Sequence, residues 1–301
     1  MKIIVAATPD VAIPTLNWLV TSEHQLLSVI TQPDRPAGRG RSLKESVVSE
    51  WARQHDIACL KPASVTETTT LIEGADVLLT IGYGVLLPEN LLSIPKHGCL
   101  NLHFSLLPRW RGAAPVQRAI EAGDSLSGVT VFALDPGMDT GPIYSVKRFA
   151  LDSDITSDEL FSELGVLGVE AVEDSLKAIE AGIRPEPQKN DGATRAMKIS
   201  KEECEIDWKL DAQLISQKIR AFTSLPGAWT RFRSEVVKID SVSISEEILQ
   251  PGVLKVVNKE LLVGTASEAL SIGFLTPAGK SRMDAKSWLN GARVNDGEFF
   301  G

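Results

Sequence analysis

Two polar side chains, Asn101 and His103, lie in a short run that otherwise has the character of a buried strand. Because side chains of a strand alternate between its faces, Asn101 and His103 share one face while Leu102 lies on the other. In an open α/β sheet, ligands bind outside the carboxyl ends of the parallel strands. An amide and an imidazole near such an end are candidates for chemistry. For an isolated pair, a structural role as hydrogen-bonded core groups is an equal alternative.

The segment that follows this pair carries a more specific pattern. Residues 105–115 read Ser-Leu-Leu-Pro-Arg-Trp-Arg-Gly-Ala-Ala-Pro, which predicts a long loop that opens into a helix at Gly112. An Asn-x-His-x-Ser-Leu-Leu-Pro run with Arg-Gly-Ala close behind resembles the folate-binding signature of the formyltransferases that use 10-formyltetrahydrofolate. The resemblance implies that 10-formyltetrahydrofolate is the formyl donor and co-substrate.

Three other segments extend this resemblance over essentially the whole chain. They are Pro-Asp-Arg-Pro-Ala-Gly-Arg-Gly at 33–40, Met-Asp-Thr-Gly-Pro at 138–142 and Gly-Lys-Ser-Arg-Met at 279–283. Together they are similar to the members of the family that formylate initiator methionyl-tRNA, which implies that tRNA as the partner. One departure is Ala7, where those enzymes typically have glycine in a Gly-Thr-Pro turn. We expect Ala7 to reshape the turn slightly without touching the catalytic face.

The resemblance implies three catalytic residues: Asn101, His103 and Asp139. Asn101 would donate an N–H to the formyl oxygen, where one good donor contributes on the order of 3–4 kcal/mol. His103 would stabilise the same charge and assist proton transfer from the attacking amine to the departing folate nitrogen. Asp139, which alone would be read as a turn-forming aspartate, would hold the imidazole and raise its pKa. The chemistry needs no metal, and the sequence offers no ligand set for one.

A second set of residues is expected to bind the folate co-substrate. Glycines after the strand at 76–81 allow a flat ligand to approach the backbone, although they are also compatible with a tight strand-to-helix turn. The expected folate-binding residues are Gly82, Tyr83, Gly84, Ser105, Leu106, Leu107, Pro108, Arg111 and Gly112.

Residues 32–44 carry four basic residues and one acid among prolines and glycines. Their composition predicts a loop that is neither helical nor stranded, and alone it favours a solvated charge run. The resemblance instead implies contact with the tRNA acceptor stem, and arginine suits phosphate because its planar fork can bind two oxygens. The expected tRNA-binding residues are Arg35, Arg39, Arg41, Lys44, Lys198 and Lys201.

Composition sets broader bounds. The chain has 301 residues, 43% hydrophobic and 23% charged, which is typical of a soluble globular protein of two domains. Its three cysteines lack metal-like spacing, so reduced thiols in a cytoplasmic setting are expected. No apolar run reaches membrane-spanning length, and we expect a monomer without a membrane partner. The net charge of −8 is uneven, because residues 207–301 carry +1 and residues 1–206 carry −9.

The order of the predicted elements indicates the fold class. A strand at 3–7, a helix and a strand at 26–31 begin a Rossmann-like, doubly wound, mostly parallel sheet. The first turn lacks the G-x-G-x-x-G pattern of dinucleotide-binding proteins. Strands at 128–134 and 143–149 follow, joined by the turn that carries Asp139, and then a long helix over 156–181.

Beyond residue 228 the pattern changes to five short β segments, which predict a small C-terminal OB-like β-barrel. A β-sandwich fragment is the alternative, and a short helix is expected at 283–289. We therefore predict a formyltransferase catalytic domain over 1–182, a linker over 183–206 and an OB-like tRNA-binding domain over 207–301.

Two other functions are compatible with parts of the sequence. A formyltransferase acting on an amino sugar nucleotide would share the fold and the Asn, His and Asp set, but the arginine-rich segment argues against it. A non-catalytic RNA-binding protein would use the barrel alone. That interpretation leaves the coincidence of Asn101, His103 and Asp139 unexplained.

Overall fold

The computed structural model describes residues 1–37, 42–295 and 297–301. The chain forms two compact units, each made of three segments. The first unit contains 1–115, 126–150 and 161–197, and the second contains 116–125, 151–160 and 198–301.

The first unit is built on a sheet, with two short ladders beside it. Its strands are β1 (Lys2–Ala7), β2 (Gln25–Ile30), β3 (Arg35–Ala37), β4 (Ser42–Lys44), β5 (Cys59–Leu60), β6 (Val77–Ile81), β7 (Cys99–His103), β8 (Arg111–Gly112), β9 (Leu126–Ala133), β10 (Ile143–Ala150) and β11 (Arg195–Ala196). The strands of the second unit are β12 (Trp229–Phe232), β13 (Glu235–Ile244), β14 (Leu254–Val257), β15 (Glu260–Val263), β16 (Leu270–Pro277) and β17 (Met283–Asp284).

The helices along the chain are α1 (Ile13–Thr21), α2 (Val47–Gln54), α3 (Val65–Leu71), α4 (Glu89–Leu92), α5 (Pro115–Glu121), α6 (Ser157–Glu180), α7 (Ala212–Ala221) and α8 (Ala285–Ala292). Two single-turn 3₁₀ helices cover Asp10–Ala12 and Glu202–Cys204.

The main sheet has seven strands in the order β10-β9-β7-β6-β1-β2-β5. All neighbours from β7 to β5 are parallel, whereas β9 is antiparallel to both β7 and β10. The chain leaves β1 toward β2 on one side and later places β6 on the other, so the strand order reverses between β1 and β6. Ligands of such sheets bind at the carboxyl ends beside this reversal. The strand β7, which carries Asn101 and His103, is the neighbour of β6.

The helix α6 packs closely against β7 at a glycine. A β-carbon built on Gly168 would lie 2.7 Å from the Cδ2 atom of Leu102, which is closer than real contacts allow. Leu102 points to the face of β7 opposite Asn101 and His103. The helix therefore covers the apolar face of the strand and leaves the polar pair on the other face.

The second unit contains a six-stranded antiparallel sheet in the order β12-β13-β16-β15-β14, with β17 paired to β16. The last residues of the chain bridge its two edges. On the β14 edge, Leu254 N–H donates to the carbonyl of Glu298 over 2.7 Å. On the β12 edge, Gly301 N–H donates to the carbonyl of Arg231 over 3.0 Å. These contacts close the sheet in the manner of a small barrel.

The structure confirms the predicted fold class, a Rossmann-like sheet followed by an OB-like barrel. The five predicted C-terminal strands correspond to β12, β13, β14, β15 and β16.

The three cysteines are free thiols, and burial raises the pKa of Cys99 to about 12.

Three local predictions are wrong. The basic segment is not wholly irregular, because Arg35–Ala37 and Ser42–Lys44 pair as an antiparallel ladder. Gly112 does not open a helix: it lies in β8, which pairs with β11, and α5 begins at Pro115. The last helix begins at Ala285 rather than 283, because Met283–Asp284 pairs with β16.

Within the three described ranges, no helix has the length and apolar character needed to cross a bilayer.

The aromatic cluster around Phe300 provides a test of the barrel closure. Phe300 is 2% exposed, and its ring lies 5.8 Å from those of Trp208 and Phe232. We expect Phe300→Ala to lower the free energy of unfolding by about 3–5 kcal/mol, measured by urea titration of tryptophan fluorescence. The neighbouring Phe299 is 63% exposed, so Phe299→Ala is a matched control that should change this value by less than about 0.5 kcal/mol. Equal losses in both variants would contradict the proposed closure.

Candidate active site

The register between β6 and β7 determines the partner of Asn101. Thr80 on β6 lies opposite Asn101 on β7, and Asn101 Nδ2 donates to Thr80 Oγ1 over 2.8 Å. Thr80 Oγ1 itself donates to the carbonyl of Leu100 over 3.0 Å. A hydroxyl has one proton, so Thr80 can only accept from the amide, and this sets the orientation of Asn101.

The amide of Asn101 retains hydrogen-bonding capacity on its other side. Its Oδ1 atom is buried and has no partner among the described residues. Its nitrogen carries two N–H groups, of which Thr80 accepts one. A buried polar atom without a partner is costly and calls for an explanation, such as a bound substrate group.

The imidazole of His103 is 6% exposed and is held on both sides. Its Nε2 atom lies 2.9 Å from the carbonyl oxygen of Trp110, which can only accept, so Nε2 carries a proton. The edge of the ring packs against Phe132. In the neutral ring Nδ1 is therefore the unprotonated nitrogen, and it faces Asp139 Oδ2 at 3.8 Å.

Burial and charge act in opposite directions on this histidine. Burial lowers the pKa of His103 and is the larger effect, while the carboxylate of Asp139 and the carbonyl of Trp110 raise it. The contribution predicted for Asp139 has the expected sign. The net pKa of His103 is nevertheless below its ordinary value, so the ring is neutral at pH 7.

Asp139 is fixed by contacts with both its side chain and its backbone. Its Oδ2 atom accepts the N–H of Gly112 over 2.7 Å, and its carbonyl accepts from Gln188 Nε2 over 3.0 Å. Its φ angle is +54°, in the left-handed region that non-glycine residues rarely adopt. The loop that carries it, residues 135–142, is termed the Asp139 loop.

Gly112 lies where a side chain would not fit. Its φ angle is +124°, and a β-carbon would lie 2.6 Å from the carbonyl oxygen of Ala196 on β11. A side chain at this position would have to displace β11, and the N–H of the same residue donates to the Asp139 carboxylate. This position was predicted to bind folate, and the structure places it against the proposed catalytic aspartate.

The guanidinium of Arg111 points to the segment after α6. Its Nε and Nη2 atoms lie 3.2 Å and 2.8 Å from Gln188 Oε1, and its Nη1 atom lies 3.3 Å from Asn190 Oδ1. Sequence reasoning missed Gln188. The glycines and prolines around it predicted only a linker, and no local pattern marks a glutamine that bridges two distant loops.

The loop after β7 is held by β9. Ser105 is 1% exposed, and its Oγ atom donates to the carbonyl of Arg109 over 2.6 Å. Thr130 Oγ1 donates to the carbonyl of Ser105 over 2.7 Å and accepts from Leu107 N–H over 3.2 Å. Among the residues predicted to bind folate, Leu106, Pro108 and Arg111 are half-buried, whereas Ser105 and Leu107 are buried.

The turn after β6 presents backbone to solvent. Gly82 and Gly84 are exposed and have φ angles of +56° and +75°. Between them Tyr83 is buried, and its carbonyl accepts from Gln32 Nε2 over 2.9 Å and from Thr8 Oγ1 over 3.4 Å. The exposed glycine backbone and the highly exposed Leu86 that follows form a surface that a flat ligand can contact.

The predicted tRNA-binding residues are only partly described. Arg35 donates through Nη2 to Gln32 Oε1, and Lys44 is exposed. Lys198 and Lys201 are exposed and belong to the second unit. Arg39 and Arg41 lie outside the described residues.

The described residues contain no group of three His, Cys, Asp or Glu side chains placed to hold a metal ion.

Comparisons with known proteins cover almost the whole chain. Residues 1–174 match the family model described as formyl transferase, and residues 198–293 match the one described as formyl transferase, C-terminal domain. A methionyl-tRNA formyltransferase from Salinispora tropica is 43% identical over 305 residues, covering 99% of this chain and 99% of its own length.

Solved structures share the fold at lower identity. Methionyl-tRNA formyltransferase from Clostridium thermocellum has a TM-score of 0.57 and 17% identity, covering 81% of this chain and 94% of its own. HypX from Aquifex aeolicus, solved with tetrahydrofolic acid, has a TM-score of 0.66 and 19% identity, covering 96% of this chain and 46% of its own.

The pairing of His103 and Asp139 can be tested by titration. Asp139→Asn removes a negative charge that favours the imidazolium, so we expect the pKa of His103 to fall below its value in the unaltered protein. Proton NMR of the four histidines measures it. Asp135→Asn, in the same loop, is the control, because Asp135 contacts Thr140 and Gly137 instead. A His103 pKa that stays constant or rises in Asp139→Asn would contradict the assignment.

Proposed function

The chain belongs to the formyl transferase family, and we propose that it transfers the formyl group of 10-formyltetrahydrofolate to the α-amino group of methionine on initiator methionyl-tRNA. The main support is the match to a methionyl-tRNA formyltransferase over 99% of both chains. The site supports the same chemistry, because an amide, an imidazole and a carboxylate converge at the carboxyl end of β7. Formylation prepares the charged tRNA for translation initiation, and we propose the cytoplasm as the location.

Residues beside β6 and β7 fit a folate-type donor, which supplies the activated formyl group when bound. The exposed backbone of Gly82 and Gly84 suits a flat ring, and Leu86 adds apolar surface. The unpartnered Oδ1 of Asn101 suits an N–H donor such as the reacting amine.

Asn101 stabilises the charge that develops on the formyl oxygen when the amine attacks. Thr80 holds one N–H of the amide, and the second N–H is the oxyanion donor. Because the amide is already oriented, little reorganisation is needed as charge develops.

His103 receives the proton that the attacking nitrogen loses. Nε2 donates to the carbonyl of Trp110, so the proton binds at Nδ1, facing Asp139 Oδ2 at 3.8 Å. The carboxylate stabilises the imidazolium that forms. Because burial keeps the ring neutral at pH 7, it is ready to act as a base and then to return the proton to the departing nitrogen.

We assign substrate selection to the basic residues outside this cluster. Arg35, with Arg39, Arg41 and Lys44, would bind phosphates of the acceptor stem, and Lys198 and Lys201 would add weaker contacts. We propose 1–182 as the catalytic domain, 183–206 as a linker and 207–301 as the OB-like tRNA-binding domain. The less acidic charge of residues 207–301 supports this division.

An amino sugar nucleotide is a less supported acceptor. The full-length match is to a methionyl-tRNA formyltransferase, and the arginine-rich segment suits a polyanion. A purely RNA-binding role would leave the cluster of Asn101, His103 and Asp139 without a purpose.

The oxyanion role of Asn101 gives a kinetic prediction. Asn101→Ala should lower kcat for methionyl-tRNA formylation by about 10²- to 10³-fold, because a preorganised donor is lost. Steady-state formyl transfer measures this effect, and fluorescence titration with tetrahydrofolate is the control, which should change less than about threefold. A folded variant with near-native kcat would remove Asn101 from the mechanism.

The basic segment gives a separate prediction. Replacing Arg35, Arg39 and Arg41 together with alanine should raise KM for tRNA and flatten its dependence on salt. The slope of log affinity against log salt falls by about 0.9 for each duplex phosphate that the protein no longer neutralises. Arg53→Ala, which removes an exposed arginine paired with Glu45, is the matched control and should leave the slope unchanged. An unaltered slope in the triple variant would contradict tRNA binding by this segment and would favour the alternative, a solvated charge run.

A further inference from the structure

Gln188 lies between Arg111 and the Asp139 loop, and its amide is fully hydrogen-bonded. Its Nε2 atom donates to the carbonyls of Asp139 and Gly141, over 3.0 Å and 2.7 Å. Its Oε1 atom accepts from Nε and Nη2 of Arg111, over 3.2 Å and 2.8 Å. An amide has two donor protons and two acceptor lone pairs, so every one of them is used.

These contacts hold a strained segment in place. Asp139 has a positive φ angle, which a non-glycine residue keeps only when its surroundings fix it. On one side, a β-carbon at Gly141 would lie 1.8 Å from the carbonyl of Ala133, so the loop already presses against β9. On the other side, Gln188 binds the two carbonyls that flank Thr140.

We infer that Gln188 is a positioning residue of the active site, which holds the Asp139 loop so that its carboxylate faces His103; this inference rests on the proposed formyl transfer. Among the described residues, Gly112 N–H donates to the Asp139 carboxylate, and a single hydrogen bond leaves rotation of the side chain possible. Gln188 fixes the backbone from which this carboxylate projects, so that the backbone anchor and the Gly112 bond together position the carboxylate.

The same glutamine joins two parts of the proposed mechanism. Arg111 is expected to bind folate, and Asp139 to stabilise the protonated His103. Both residues bind the same amide group, that of Gln188. The position of the Asp139 loop matters for the rate, because a mutation far from the reacting atoms that misplaces a catalytic group by about 1 Å can lower the rate about 100-fold.

Loss of the Gln188 anchor should change the pKa of the His103 imidazole. Among the described residues, the His103 ring faces the Asp139 carboxylate, the Trp110 carbonyl and the Phe132 ring. The carboxylate is the one among them that carries charge. If the Asp139 loop relaxes, that charge moves away and the pKa of His103 falls, as it would in Asp139→Asn.

Two substitutions separate the functions of the amide. Gln188→Met keeps the length of the side chain and removes all four hydrogen bonds. Gln188→Glu keeps an acceptor for Arg111 but loses both N–H donors to the Asp139 loop. Asn190→Ala is the matched control, because Asn190 accepts from Arg111 Nη1 rather than binding that loop.

We expect Gln188→Met and Gln188→Glu to lower kcat for methionyl-tRNA formylation at least tenfold, with KM for tRNA changed less than threefold. Asn190→Ala should keep kcat within twofold. Histidine NMR of Gln188→Met should show a His103 pKa below that of the unaltered protein. Thermal unfolding checks that each variant is folded.

Either of two results would overturn the inference: a kcat within twofold of the unaltered protein in a folded Gln188 variant, or an unchanged His103 pKa in Gln188→Met. If Gln188→Met does not fold, kcat of Gln188→Glu decides. If the unaltered protein does not formylate methionyl-tRNA, the proposed function fails, and the His103 titration still decides whether Gln188 positions Asp139.

Discussion

The attraction between a buried imidazole and one carboxylate is the interaction on which the rest of the site depends. His103 is almost fully buried, and burial disfavours its protonated form, whereas the carboxylate of Asp139 favours it. Asp139 Oδ2 lies 3.8 Å away, where the gross Coulomb attraction to an imidazolium is about 4 kcal/mol at an effective dielectric constant of about 20. The strength of this attraction depends on where the Asp139 carboxylate is held relative to the ring.

Several unusual features of the chain position the Asp139 carboxylate and the His103 ring relative to each other. Gly112 allows the close approach of β8 to β11, and its N–H donates to the Asp139 carboxylate. Gln188 binds the carbonyls of the Asp139 loop, and Trp110 fixes which nitrogen of His103 is free. The proposed oxyanion donor is positioned separately, by the register of β6 and β7, which places Thr80 against Asn101. The proposed proton acceptor, His103, and the proposed oxyanion donor, Asn101, thus share one strand but are positioned by different neighbours.

The sequence predicts the strand that carries the site and the fold class, but it does not predict the partners of the site residues or the burial of His103. The period-two alternation at Asn101 and His103 correctly indicates one strand face, and the order of elements correctly gives the fold class. The partners of these residues were not predictable, because Thr80 and Gln188 meet them only through strand register and loop packing. The net direction of the pKa shift of His103 was also not predictable from the sequence, because burial and the Asp139 charge act in opposite directions. The charge of Asp139 can be anticipated from sequence, whereas the extent of burial cannot. Likewise Pro and Gly in the basic segment suggested an irregular loop, although pairing of β3 with β4 overrides that local preference.

Transfer of labelled formyl from 10-formyltetrahydrofolate, with methionyl-tRNA and an amino sugar nucleotide offered together in equal amounts, tests the central claim most directly. The chain contains both the cluster of Asn101, His103 and Asp139 and an arginine-rich segment. We therefore expect label on the methionine of the tRNA and none on the sugar. Label on the sugar nucleotide would keep the chemistry of that cluster but contradict the assigned acceptor. Absence of label from both would contradict the proposed reaction itself.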